Sequence, residues 1–92
     1  AMQMLTKQNE KDLGKKVIKF FTPWSNWSWY VTEGEKESNG DWLFFGFVEG
    51  MEREWGSFRL SELTSVTGPM GLKIERDRWF DTPVTEFSTE NV

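Results

Sequence analysis

Apolar and polar side chains alternate along much of this chain with the period of two residues that is typical of β-strands. Residues 15–21 are rich in β-branched and aromatic side chains, which predicts a first strand. Over residues 26–33, Trp27, Trp29 and Val31 fall on one side of the strand and polar side chains fall mostly on the other. This pattern predicts a half-buried antiparallel strand with Trp27 and Trp29 in the core.

Two further strands are predicted after a polar loop. Residues 34–40 end in Asn-Gly, which is a strong signal for a hairpin turn. Residues 41–49 predict a strand, of which residues 42–48 are apolar on both faces as at the centre of a sheet, and Gly46 within them predicts a bulge or a close packing contact. Residues 54–60 predict a fourth strand.

Short helices are predicted on either side of these strands. The first covers residues 5–13, with Thr6 as its capping residue and Gly14 at its end. The second covers residues 61–66 and begins at Ser61. Together the elements predict an α+β fold in which an antiparallel sheet of four or more strands carries one or two short helices.

The length of 92 residues predicts one domain, residues 1–92, rather than two. We expect residues 1–4 and 88–92 to fray, because the tail after Asp81 carries mostly polar side chains and Pro. Lysines of the first strand, among them Lys16 and Lys19, are typical of an edge strand that is protected against aggregation.

The absence of Cys and His limits the chemistry of the chain more than any residue that is present. It excludes disulfides, Cys/His zinc sites and nucleophiles paired with histidine. Glu49, Glu52 and Glu54 surround a turn, but they lack the spacing of a calcium loop and predict a solvated turn. We therefore expect no catalytic residue, no metal site, no cofactor and no enzymatic activity.

A formal net charge of −4 makes a protein a more plausible partner than a nucleic acid, whose phosphates attract basic surfaces. No apolar run approaches the roughly 20 residues of a membrane-spanning helix. The first residues lack the basic and then apolar layout of a signal peptide. These observations predict a cytoplasmic protein that does not bind membranes.

Several stretches carry a resemblance to a known family. They are Val17-Ile18-Lys19-Phe20-Phe21-Thr22-Pro23, Trp27-Ser28-Trp29-Tyr30-Val31-Thr32-Glu33, Leu43-Phe44-Phe45-Gly46, Glu54-Trp55-Gly56-Ser57-Phe58, Gly68-Pro69-Met70-Gly71-Leu72 and Ile74-Glu75-Arg76-Asp77. In their order and spacing, these stretches resemble domain of unknown function 2958, a family of small bacterial proteins of plasmids, phages and integrative elements. The resemblance implies a mobile-element setting and no particular activity.

The candidate binding residues are Trp24, Arg76, Arg78 and Arg53. Trp24 lies outside the strand alternation, so we expect it to be the most exposed tryptophan, and Trp and Arg are enriched at binding hot spots. For Arg76 a structural role is the competing interpretation, in which it pairs with a buried carboxylate such as Glu62.

The sequence favours two functions over a third, an enzyme that uses a pair of carboxylates, because His, Cys and a paired acidic motif are missing. The first is a non-catalytic protein-interaction module of a mobile genetic element, acting against a host defence system. The alternative is a nucleic-acid-binding accessory protein of element transfer or maintenance, which would use the arginines together with Trp24.

Overall fold

Residues 5–92 are described by a computed structural model, in which six strands form one antiparallel sheet. The helices and strands are α1 (Lys7–Asp12), β1 (Lys16–Phe21), β2 (Ser28–Lys36), β3 (Trp42–Glu49), β4 (Arg53–Arg59), α2 (Leu60–Thr64), β5 (Glu75–Arg76) and β6 (Thr82–Pro83). A short 3₁₀ helix lies between α2 and β5 at Pro69–Gly71, and two more follow β6 at Val84–Glu86 and Thr89–Asn91. The α+β fold with an antiparallel sheet is confirmed, whereas the predicted fraying of residues 1–4 lies outside the described residues.

The order of strands across the sheet is β4-β3-β2-β1-β5, and β6 also pairs with β1. The two short strands β5 and β6 thus occupy successive parts of the free side of β1. The prediction that the lysines of β1 lie on an edge strand is wrong, because segments from the far end of the chain cover that edge. The long edge strand of the sheet is β4.

The first face of the sheet carries the larger core. Its buried apolar side chains come from the segment before α1, from four strands, from α2 and from the segment before β5, and they are Leu5, Ile18, Phe20, Val31, Phe44, Phe58, Leu63 and Ile74. Trp29 packs against this core, as its place in the alternation predicts. Trp27 does not, since 39% of it is exposed, and its predicted place in the core is wrong.

The second face of the sheet carries a smaller core, as the two apolar faces of β3 predict, but the sequence pattern does not predict that the C-terminal segment covers it. Tyr30 and Phe47 are buried there, and side chains of the C-terminal segment, including Phe80, Val84 and Phe87, pack against them. The C-terminal segment therefore covers apolar rings that the sheet would otherwise expose to water. Tyr30 contacts both Phe80 and Phe87, with ring centroids 5.6 and 5.5 Å apart.

A β-bulge in β2 changes which side chains reach the second face. Val31 pairs with Gly46 and Glu33 pairs with Phe45, so Thr32 is the extra residue between them. The Thr32 hydroxyl donates a hydrogen bond of 3.1 Å to the carbonyl oxygen of Phe45. Because a shift of one residue moves every later side chain to the opposite face, the bulge places Glu33 on the second face instead of in line with Val31.

The two helices begin in different ways. The Thr6 hydroxyl accepts a hydrogen bond from the backbone N–H of Asn9, which confirms Thr6 as the cap of α1. Ser61 was expected to cap α2, but it lies inside that helix, and Asp41 of the β2–β3 loop takes part of this role. The Asp41 carboxylate accepts hydrogen bonds from the Ser61 hydroxyl at 2.6 Å and from the Trp42 N–H at 2.8 Å.

These hydrogen bonds make the stability of the fold depend on the charge of Asp41. The Ser61 hydroxyl is the largest cause that lowers the pKa of Asp41 below its ordinary value of 3.8. A carboxyl group whose pKa is lower in the folded state stabilises that state above pH 4, and this stabilisation is lost as the pH falls through the folded-state pKa. Asp41→Asn is therefore expected to lower the urea midpoint at pH 7 and to lower it less at pH 2.

Urea unfolding followed by tryptophan fluorescence at both pH values tests this expectation. Glu52→Gln is the control, because Glu52 is an exposed turn residue that makes no ion pair within residues 5–92. A difference between Asp41→Asn and the unsubstituted protein that is as large at pH 2 as at pH 7 would contradict a role for the Asp41 charge.

Candidate functional site

The half of the second face that the C-terminal segment leaves open carries two exposed aromatic rings. Phe45 of β3 is 40% exposed and Trp55 of β4 is 47% exposed. Their rings stack with centroids 5.8 Å apart and an interplanar angle of 15°. Trp55 also contacts Phe47 and, edge-on, Phe87 of the C-terminal segment. The two rings therefore form one solvent-exposed aromatic surface, which lies directly beside the part of the core that the C-terminal segment covers.

A groove of 350 Å³ lies beside this aromatic pair. Phe45 forms its floor, with Glu33 directly opposite on β2 and Ser57 directly opposite on β4. Glu35 and Leu43 extend the same groove by one further pair of residues. We call this region, with Trp55 at its side, the aromatic groove.

The charges around the aromatic groove are unbalanced. Arg59, which lies opposite Leu43 on β4, is held by Glu37 through hydrogen bonds of 2.8 and 3.2 Å, and this contact raises the pKa of Arg59 above its ordinary value. Within residues 5–92, no ion pair involves Glu33 or Glu35, both of which are exposed. The groove therefore presents an apolar ring flanked by uncompensated negative charge.

Trp24 is placed differently from the sequence-based expectation. It lies in the turn between β1 and β2, is only partly exposed, and packs against the first core. Its indole ring lies against Gly68, where any side chain would overlap it. Trp27, Trp55 and Trp79 are all more exposed, so the prediction that Trp24 is the most exposed tryptophan is wrong.

Arg76 and Arg78 line a separate cleft of 310 Å³ between α1 and the outer side of β1. Lys16 also lines this cleft, but so do three carboxylates, those of Asp12, Asp77 and Asp81. The cleft therefore has no excess of positive charge with which to hold a phosphate.

The predicted pairing of Arg76 with Glu62 is wrong. Glu62 is an exposed residue of α2, and no ion pair in the described part of the chain joins it to Arg76. Arg76 instead belongs to β5, where it pairs with Phe20 of β1.

Arg53 lies far from the other candidate arginines. It begins β4, and three strands separate β4 from the strand that contains Arg76, which corresponds to about 19 Å at the usual strand spacing. Its guanidinium pairs with Glu49 at 2.9 Å and donates hydrogen bonds to the carbonyl oxygens of Thr89 and Val92. Arg53 thus anchors the C-terminal segment, and the structure does not bring the four candidates together.

The sequence does not predict the aromatic groove, although it does predict the strands that carry the two exposed rings. Phe45 and Trp55 lie in predicted strands, and the expectation that β3 is covered on both faces assigned Phe45 to the interior. The acidic side of the groove depends on the bulge at Thr32, which follows from pairing between two strands and has no local signal.

The described residues contain neither a cluster of metal ligands nor a helix that could cross a membrane. Within residues 5–92, no group of three or more Asp or Glu side chains is placed to hold a metal ion. In the same part of the chain, no helix has both the length and the apolar character needed to cross a membrane.

The fold and the site define a small α+β protein, built on a six-stranded antiparallel sheet, with an open acidic and aromatic groove on one face. Residues 1–89 match the family described as "Protein of unknown function (DUF2958)", and the chain belongs to this family. Comparisons with curated proteins and with solved structures find no match.

Proposed function

We propose that this chain is a non-catalytic protein-interaction module and that it binds its partner through the aromatic groove. The observation that carries the proposal is the stacked pair of Phe45 and Trp55, which leaves large parts of two rings in water. Tryptophan in a partly enclosed site is among the side chains that contribute most to protein interfaces. Exposed aromatic surface of this kind is typical of interaction sites.

The charge of the groove favours a protein over a nucleic acid as the partner. Glu33 and Glu35 would repel phosphates, and the arginines of β4, Arg53 and Arg59, already have carboxylate partners. Within residues 5–92, no comparable surface supports the alternative function of a nucleic-acid-binding accessory protein.

A more specific part of the proposal concerns the cellular setting of this chain. The resemblance to proteins of plasmids, phages and integrative elements supports a role in the cytoplasm of a host bacterium, in a mobile genetic element. A protein of such an element that binds another protein without catalysis is suited to act against a host defence complex by occupying one of its surfaces.

Trp55→Ser is expected to weaken binding of the partner by about 30-fold or more, which corresponds to the loss of a hot-spot residue worth about 2 kcal/mol. The partner is first captured from lysate of a host bacterium with the unsubstituted protein and then purified. Its affinity for each variant is measured by calorimetric titration. Trp79→Ser is the matched control, because Trp79 is 95% exposed and lies in the segment between β5 and β6, away from the groove.

Trp55 also contacts Phe47 and Phe87, so a thermal melt must show that Trp55→Ser is folded. Phe45→Ser provides a second test that leaves the contacts of Trp55 with Phe47 and Phe87 in place. Unchanged affinity in both folded variants would refute the proposal. Salt-sensitive binding to DNA or RNA in a gel-shift assay, with no protein captured, would favour the alternative function.

A further inference from the structure

The second face of the sheet repeats one arrangement, in which a cation lies over an aromatic ring and contacts a carboxylate. Arg53 lies 5.3 Å from the ring centroid of Phe47 and pairs with Glu49 at 2.9 Å. Lys19 lies 5.4 Å from the ring centroid of Tyr30 and pairs with Asp77 at 3.8 Å. In both places the ring attracts the cation through its negative face, while the carboxylate fixes its position.

The aromatic groove contains the same arrangement without the cation. Phe45 supplies the exposed ring, and Glu33, directly opposite on β2, supplies the carboxylate. On the other side of Phe45, β4 has Ser57 directly opposite, the place that Lys19 takes opposite Tyr30, but the side chain of Ser57 is short and uncharged. Arg59 cannot take this place without leaving Glu37, which it contacts through two hydrogen bonds.

We propose that the aromatic groove receives an arginine or lysine side chain from an extended segment of the partner protein. The cation lies over Phe45 and beside Trp55 and pairs with Glu33 or Glu35. Arginine fits this site better than lysine, because its planar guanidinium stacks on aromatic rings and pairs with a carboxylate through two hydrogen bonds. This inference rests on the proposed function and specifies the chemistry of the partner.

A second copy of this chain is a poorer occupant of the groove. Each copy carries a net charge of −4, so two copies repel each other. A basic segment of another protein compensates Glu33 and Glu35 without this repulsion.

Capped pentapeptides with a central arginine, citrulline or glutamate test the inference directly. Citrulline has nearly the shape of arginine but no charge. In an NMR titration, the arginine peptide is expected to shift the indole N–H signal of Trp55 and the amide signals of Phe45 and Ser57 in a saturable way. The citrulline and glutamate peptides should bind at least tenfold more weakly. Equal binding of arginine and citrulline, or no saturable shift at millimolar arginine peptide, would overturn the inference.

Two pairs of protein variants test the role of the groove itself. Ser57→Arg places a cation of this chain over Phe45 and is expected to weaken binding of the arginine peptide at least tenfold, whereas the neutral Ser57→Gln should bind normally. Glu33→Gln with Glu35→Gln should weaken binding by a similar factor. The charge-matched control is Glu10→Gln with Glu75→Gln, which changes exposed glutamates of α1 and β5.

The same variants separate this inference from the proposed function. If the captured partner protein loses affinity for Trp55→Ser but binds Ser57→Arg and Ser57→Gln equally, the inference fails and the proposed function stands. If the arginine peptide binds as expected but the partner is insensitive to Trp55→Ser and Phe45→Ser, the cation site stands and the proposed function fails.

Discussion

The Gly46→Ala protein is expected to lose at least about 3 kcal/mol of its free energy of unfolding, or not to fold at all, although the change adds one methyl group. A methyl group on Gly46 would overlap the backbone carbonyl oxygen of Tyr30. That oxygen cannot move aside like the end of a flexible side chain, because it belongs to a strand paired on both sides. Gly46 also lies opposite Val31, where the bulge of β2 begins, so the clash would disturb the register that brings Glu33 to the second face.

Chemical unfolding of both proteins measures this effect, and the sheet itself offers the control. Gly56 is the partner of Gly46 across the β3–β4 pair, and a methyl group added at Gly56 would meet no atom within 4 Å. Gly56→Ala is therefore expected to be neutral or slightly stabilising, since alanine has less backbone freedom to lose on folding. Equal stability of the two variants would show that the close approach at Gly46 can relax without cost.

Trp24→Ala is expected to lower the free energy of unfolding by about 2–3 kcal/mol, somewhat less than the loss of a fully buried aromatic side chain. The indole ring of Trp24 packs on the first core and against Gly68, so its removal leaves a cavity between the β1–β2 turn and the segment after α2. That segment leads into Ile74, which is almost fully buried, and it has little room to collapse into the space.

Trp79→Ala gives the reference for this measurement. Trp79 is 95% exposed, and its removal should change the free energy of unfolding by less than about 0.5 kcal/mol. If Trp24→Ala proved as stable as Trp79→Ala and also bound the partner more weakly, then Trp24 would belong to the interface, as the sequence predicts.

The secondary structure of the first sixty residues could be predicted because its signals are local. Alternation, the polar Asn-Gly loop and the cap at Thr6 each act over a few residues, and the strands and α1 appear close to where these signals place them. The bounds of β2 are the main difference. It begins at Ser28 and continues to Lys36, because pairing with β3 extends it into the predicted polar loop.

The features that define the candidate site could not be predicted, because they arise from contacts between distant residues. Gly68 makes room for the ring of Trp24, so the burial of this ring is set by a glycine far away in the sequence. The C-terminal segment shows no strand or helix period, yet Val84 and Phe87 cover Tyr30. Where this cover stops, Phe45 and Trp55 stay open to solvent.

The pairing of β1 with β5 and β6 has a consequence for the order of events during synthesis on the ribosome. The hairpins of β1 to β4 join strands that are adjacent in the chain, and they can form as soon as those strands leave the exit tunnel. The outer edge of β1 has no partner until residues 75–83 have also emerged. Until then, the nascent sheet exposes one long backbone edge beside Phe20 and Tyr30, and such an edge can pair with other chains. Premature termination before β5 should therefore produce an aggregating fragment, and a chaperone that binds nascent strands should protect this stretch of the chain longest.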